Sequence, residues 1–89
     1  MVRACFKIPD LPADRPKVPE VSVLVRAYYA KPGNEAGGNC HVALDDGNLD
    51  NGGLRFCLAE CEYYGDKDGA EIMRLMLQMS RSQRRRVRA

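Results

Sequence analysis

Residues 54–79, LRFCLAECEYYGDKDGAEIMRLMLQM, decide the fold. Leu54, Cys57, Leu58 and Cys61 recur at the three- and four-residue spacing that lines one face of a helix. Asp50-Asn51 upstream offers N-caps, and Gly65 stands where such a helix stops. Beyond it Ile72, Leu75, Met76 and Met79 form a second stripe, from about Gly69 to Met79, and Asp68 with Glu71 has the spacing of a capping box. Only the five residues Gly65 to Gly69 separate the two stripes, so the spacing predicts an antiparallel helical hairpin. Met73, Met76 and Met79 share a face that is either core or a surface offered to another subunit.

Toward the N-terminus, PEVSVLVRAYY (19–29) reads two ways. Val21, Leu24, Val25 and Tyr28 keep a helical spacing, with Pro19 and Glu20 suited to a first turn. Val21, Val23, Val25 and Ala27 also alternate, and β-branched residues favour strands. The helix is the preferred reading. Lys31-Pro32-Gly33-Asn34 ends the element in either case. The next apolar piece, CHVAL (40–44), is too short for periodicity: Asn39 suits a short helix, whereas Asp46-Gly47 suits a short β-hairpin. Before all of this, residues 1–20 hold four of the five prolines and are expected to form an extended arm, with P-x-x-P spacings of the kind that fit aromatic grooves.

Toward the C-terminus, Ser80 and Gln83 repeat the capping-box spacing. Five arginines follow within RSQRRRVR (81–88), and their mutual repulsion predicts fraying in the absence of a partner. The expected organisation is a mostly α single domain: a proline-rich arm (1–20), a helical body (21–80) and a basic tail (81–89).

The totals restrict function. A chain of 89 residues buries only roughly 60–65% of its unfolded surface, which leaves little room for a large enclosed active site. No run approaches the roughly 18 apolar residues of a membrane helix, and MVRACFKIPD lacks a secretory apolar stretch, so a cytoplasmic protein is expected. In that compartment Cys5, Cys40, Cys57 and Cys61 are thiols by default. The net charge of +2 conceals an asymmetry: residues 1–80 hold nine bases and 12 acids, and 81–88 hold five bases and no acid.

Several constellations are candidates for chemistry. Cys57 and Cys61 on one helix face, with Cys40 and His41, would make a zinc set, but adjacent residues do not easily aim at one ion and helical core positions favour packing thiols. Asp46, Asn48 and Asp50 start an EF-hand pattern that fails at Asn51 and Cys57. His41 beside Asp45 or a cysteine is the one candidate base, and GNEAGG (33–38) has no following Lys-Ser or Lys-Thr to make a phosphate loop. No cofactor and no enzymatic activity are expected. GGNCHVALDDGN (37–48) reads as a structured turn in which Gly37 and Gly38 allow close backbone approach, His41 bridges elements, and Asp45, Asp46 and Asn48 cap or reverse the chain.

AYYAKPGNEAGG (27–38), HVALDDGN (41–48), FCLAECEYYGDKDG (56–69) and LMLQMSRSQRRR (75–86) together resemble a group of small uncharacterised proteins encoded by bacteriophages and prophages. The resemblance spans roughly residues 27–86 and brings no activity with it. It implies that Cys40 is incidental, since the position before the histidine is typically aliphatic in that group. By analogy with small phage proteins, it suggests stoichiometric inhibition of a bacterial defence complex in the manner of anti-CRISPR proteins, with a host protein complex such as a nucleic-acid-guided effector as partner. Partner contacts are then expected from Arg81, Arg84, Arg85, Arg86 and Arg88 and from Asp45 and Asp46, in the acid-rich stretch 45–71. The alternatives are a nucleic-acid accessory protein, whose weak binding salt would abolish, and a zinc-stabilised module.

Overall fold

The computed structural model describes residues 16–88. It contains five α-helices: α1 (Val18–Tyr29), α2 (His41–Leu44), α3 (Asn51–Tyr63), α4 (Lys67–Leu77) and α5 (Arg81–Arg86), with a 3-10 turn over Gly38–Cys40 running into α2. Among the described residues there is no strand. Of the extended arm expected over residues 1–20, residues 1–15 lie outside the described residues, and Val18, Pro19 and Glu20 are not extended but belong to α1.

The hairpin forms as the spacing predicts, and α3 against α4 is the largest helix pairing. Leu54, Cys57 and Cys61 from α3 meet Ile72, Met73, Met76 and Met79, all buried. The methionine face is therefore core and not a subunit surface. One start point differs from the sequence expectation. Asp66, not Asp68, caps α4: its carboxylate accepts from the Gly69 N–H at 3.0 Å, so the helix begins two residues earlier than expected. Gly69 also lets α4 pack closely on α3, because a Cβ there would meet Cys61 Sγ at 2.7 Å.

Helix wins over strand for 18–29, since the helical face places Val21, Val25 and Tyr28 together against the hairpin. Val23, whose burial only the strand reading required, is 54% exposed. CHVAL likewise resolves as helix, and no hairpin forms at Asp46-Gly47. Gly37 (φ 80°) and Gly38 (φ 51°) instead turn the chain tightly into the 3-10 segment, and Cys40 and Ala43 enter the core.

The basic end is not a frayed tail. Ser80 and Gln83 form a reciprocal capping box at the start of α5, with bonds of 3.1 and 2.9 Å. Arg84 then turns inward and is only 4% exposed. Its guanidinium donates to the carbonyls of Met76 (2.8 Å), Leu49 (2.8 Å) and Leu77 (3.3 Å) and to Asn51 Oδ1 (2.8 Å). The C-terminal carbonyls of α4 carry the negative end of its dipole, which compensates a buried cation that forms no ion pair with a carboxylate among the described residues. Val87 packs on the core, and the Arg88 N–H donates to the buried Ser22 hydroxyl at 3.0 Å, which fastens the end of the chain to α1. Arg84→Ala should cost about 3 kcal/mol, because it orphans several carbonyls at once. Arg84→Lys should recover only part, since a point charge cannot span the four acceptors. Urea unfolding followed by circular dichroism measures both, and an Arg81→Ala control should stay within about 0.5 kcal/mol of wild type.

Candidate functional site

The sequence-predicted site residues separate into an interior group and a surface group. In the interior, Tyr28 and Asp66 form the polar centre of the fold. The Tyr28 hydroxyl donates to Asp66 Oδ2 at 2.7 Å and accepts from the Asn39 N–H at 3.1 Å, while the Asn39 amide donates to the same Asp66 oxygen at 3.1 Å. This network joins α1, the 3-10 turn and the start of α4. Gly38 lies directly over it, since a Cβ there would meet the Tyr28 hydroxyl at 2.6 Å. Burial first, then the hydrogen bond to Asp66, pushes the Tyr28 phenol well above its ordinary range. Burial alone would raise the Asp66 carboxyl, but hydrogen bonds from Tyr28, the Gly69 N–H and Asn39, with the Lys31 charge nearby, hold it below the usual value.

Segment 37–48 is held by the neighbouring tyrosine as well. The Tyr29 hydroxyl donates to Asp45 Oδ1 at 2.5 Å, and Asn48, with its amide nitrogen turned to Asp50, donates to both carboxylate oxygens at 3.2 and 3.0 Å. Asp50 in turn caps α3 through the Gly53 N–H at 2.7 Å. Gly37, Gly38 and Asn48 thus all help to shape this turn. His41 departs from its expected role. It is exposed at the start of α2, and among the described residues its imidazole makes no hydrogen bond to another element; its carbonyl accepts from the N–H groups of Asp45 and Asp46 at 2.9 Å each, which closes the end of its own short helix.

The zinc set does not assemble around one point. Cys40, Cys57 and Cys61 are fully buried, whereas His41 points to solvent, and among the described residues no group of three or more Cys, His, Asp or Glu is placed to hold a metal. The Cys40 and Cys61 sulfurs lie 3.5 Å apart as free thiols. Their hydrogen bond, ahead of burial, pushes the Cys61 thiol up and favours any negative charge on Cys40; burial pushes Cys57 up.

The surface group is basic. Arg81, Arg85, Arg86 and Arg88 are exposed, and neither of the two ion pairs among the described residues, Lys31–Asp68 and Arg74–Glu62, involves them. Arg81 and Arg85 sit at the i, i+4 spacing of one helix side, and Arg88 follows the extended Val87 beyond the helix end. Beside them opens a cleft of about 230 Å³ whose lining includes Val25, Tyr29, Leu44, Met76, Arg85 and Arg88. Arg84, which sequence reasoning grouped with the partner-binding arginines, is the internal anchor of this face and not part of it. The Ser80–Gln83 capping box was the available signal that α5 would be ordered. Nothing in the arginine run itself distinguished the inward residue from its neighbours.

No family model, curated protein or solved structure matches this chain.

The polar centre predicts a specific acid lability. Because the folded Asp66 carboxyl is held low, its contribution is fully present above the unfolded value near 3.9 and is lost as pH falls through the folded value. Asp66→Asn should lower stability by about 1–2 kcal/mol at neutral pH and flatten the loss of stability between about pH 5 and pH 2. Urea midpoints measured across that range, wild type against variant, check the sign.

Proposed function

We propose that this protein works by stoichiometric binding, gripping an anionic surface on a partner protein with the arginine face of α5. The observation that carries this reading is the fixing of that face. Arg84, the capping box and the Arg88–Ser22 bond hold α5 in place, so the backbone that carries the exposed guanidinium groups has little freedom left to lose when a partner arrives, and only the arginine side chains remain to be ordered. The specific form suggested by the likeness to phage-encoded proteins is inhibition of a bacterial defence complex, such as a nucleic-acid-guided effector. In that reading the acidic residues Asp45 and Asp46 supply complementary charge at a second place on the same molecule.

A nucleic-acid ligand is the second reading, favoured by the same unpaired guanidinium groups, which suit phosphate as well as carboxylate. The two separate by salt dependence and nuclease treatment. With Arg81, Arg85, Arg86 and Arg88 all replaced by alanine and Arg84 retained, the fold should persist. Capture of a stoichiometric protein from nuclease-treated bacterial lysate should weaken by at least about tenfold. If nucleic acid is the ligand, nuclease should remove all capture, and anisotropy of a labelled duplex should give a log–log salt slope of about −3 to −4 that the variant abolishes. Capture that neither salt nor the four substitutions alter would take α5 out of the binding surface.

A further inference from the structure

Helix α3 carries a second seam on the side away from the core. Its buried residues Gly53, Leu54, Cys57 and Cys61 face inward, and Gly52, Phe56, Ala59 and Tyr63 come out on the opposite side, all exposed. Phe56 is 53% and Tyr63 is 82% exposed, and the Tyr63 ring is steadied edge-to-face by Tyr64 at a centroid distance of 4.8 Å. The intervals between these four residues are 4, 3 and 4, the alternation of the a and d positions of a two-helix seam. In that register Phe56 and Tyr63 are a residues, Gly52 and Ala59 are d residues, and Arg55 and Glu62 both fall on the same flank, at g.

We propose that this seam is the contact for a second copy of the same chain, packed antiparallel across α3 about a two-fold axis. Side-chain size and charge pattern both select this partner and orientation. An antiparallel pair sets a against d of the other helix, so each Phe56 lies over Ala59 of the second copy and each Tyr63 over Gly52, large against small throughout. A parallel pair would stack Phe56 on Phe56 and Tyr63 on Tyr63 and leave gaps at Gly52 and Ala59. Antiparallel packing also brings like flanks together, so Arg55 of each copy meets Glu62 of the other, twice. Within one chain Arg55 enters neither of the ion pairs, while Glu62 reaches Arg74 by one carboxylate oxygen at 3.0 Å, so each Glu62 would stand between two guanidinium groups. The seam is confined to one helix of 13 residues, so the association belongs to the small, weak class of interfaces and depends on concentration. The contact is independent of whatever α5 binds.

Sedimentation equilibrium of the full chain over a wide concentration range tests the contact. The wild-type average mass should rise toward that of two chains. Phe56→Glu, at a position already more than half exposed, should keep its circular dichroism and remain a monomer throughout. Arg55→Glu and Glu62→Arg should each raise the dissociation constant by about tenfold or more, and the double variant should return to within about threefold of wild type. Thermal unfolding of each variant identifies any loss of folding separately. A wild type that stays monomeric at every concentration overturns the proposal, as does association that Phe56→Glu leaves intact. Rescue of Arg55→Glu by Glu60→Arg in place of Glu62→Arg would indicate parallel packing and overturn it equally.

Discussion

The burial of Arg84 is the constraint on which the rest of the structure depends. One guanidinium binds the end of α4, the loop that leads into α3 and, through its own backbone, α5. A cation withdrawn from water is costly unless its donors are satisfied, and here carbonyls at the negative end of a helix dipole satisfy them. Lysine has the charge without the fork that reaches several acceptors. By anchoring α5 this contact turns a run of mutually repelling arginines into an ordered surface.

The second organising element is the tyrosine pair at the end of α1. Adjacent helical residues point in different directions, so Tyr28 enters the core to meet Asp66 and Asn39 while Tyr29 reaches Asp45 at the surface. Between them they hold both ends of the 37–48 segment. That segment is rich in polar and glycine residues because it must fit beneath hydroxyls and carboxylates, and this packing accounts for most of what looks site-like in its sequence. The three buried thiols fill a narrow interior as small apolar groups.

Once these internal roles are assigned, the remaining exposed features lie in different places. The arginines occupy α5 at the end of the chain, and the aromatic seam occupies the outer side of α3. An antiparallel pair of chains would display the arginine face twice, so a repetitive or two-fold partner would be held by two weak contacts acting together.

The sequence by itself determined the α3–α4 hairpin and the start of α5. The hairpin stripes, Gly65 at the turn and the Ser80–Gln83 box were legible because periodicity, caps and glycine act over three or four residues, whereas residues 21–29 and 40–44 admitted strand as well as helix until packing chose. The a/d seam of Phe56 and Tyr63 was present in the same text, masked by the stronger core stripe on the other face of α3. Only the tertiary structure decided which chemistry-bearing residue does what. The zinc set weighed from the sequence, Cys40, His41, Cys57 and Cys61, does not converge: the turn at Gly37 and Gly38 sends Cys40 inward beside the core thiols of α3 and leaves His41 exposed. Asp66 displaced Asp68 as the α4 cap because Tyr28 and Asn39 are waiting for it from distant parts of the chain. Arg84 differs from Arg85 and Arg86 in nothing but helical phase, and that phase acquires meaning only when α4 and the α3 loop bring their carbonyls to it. Contacts between residues 7 to 35 apart assign that role, and no local pattern encodes them.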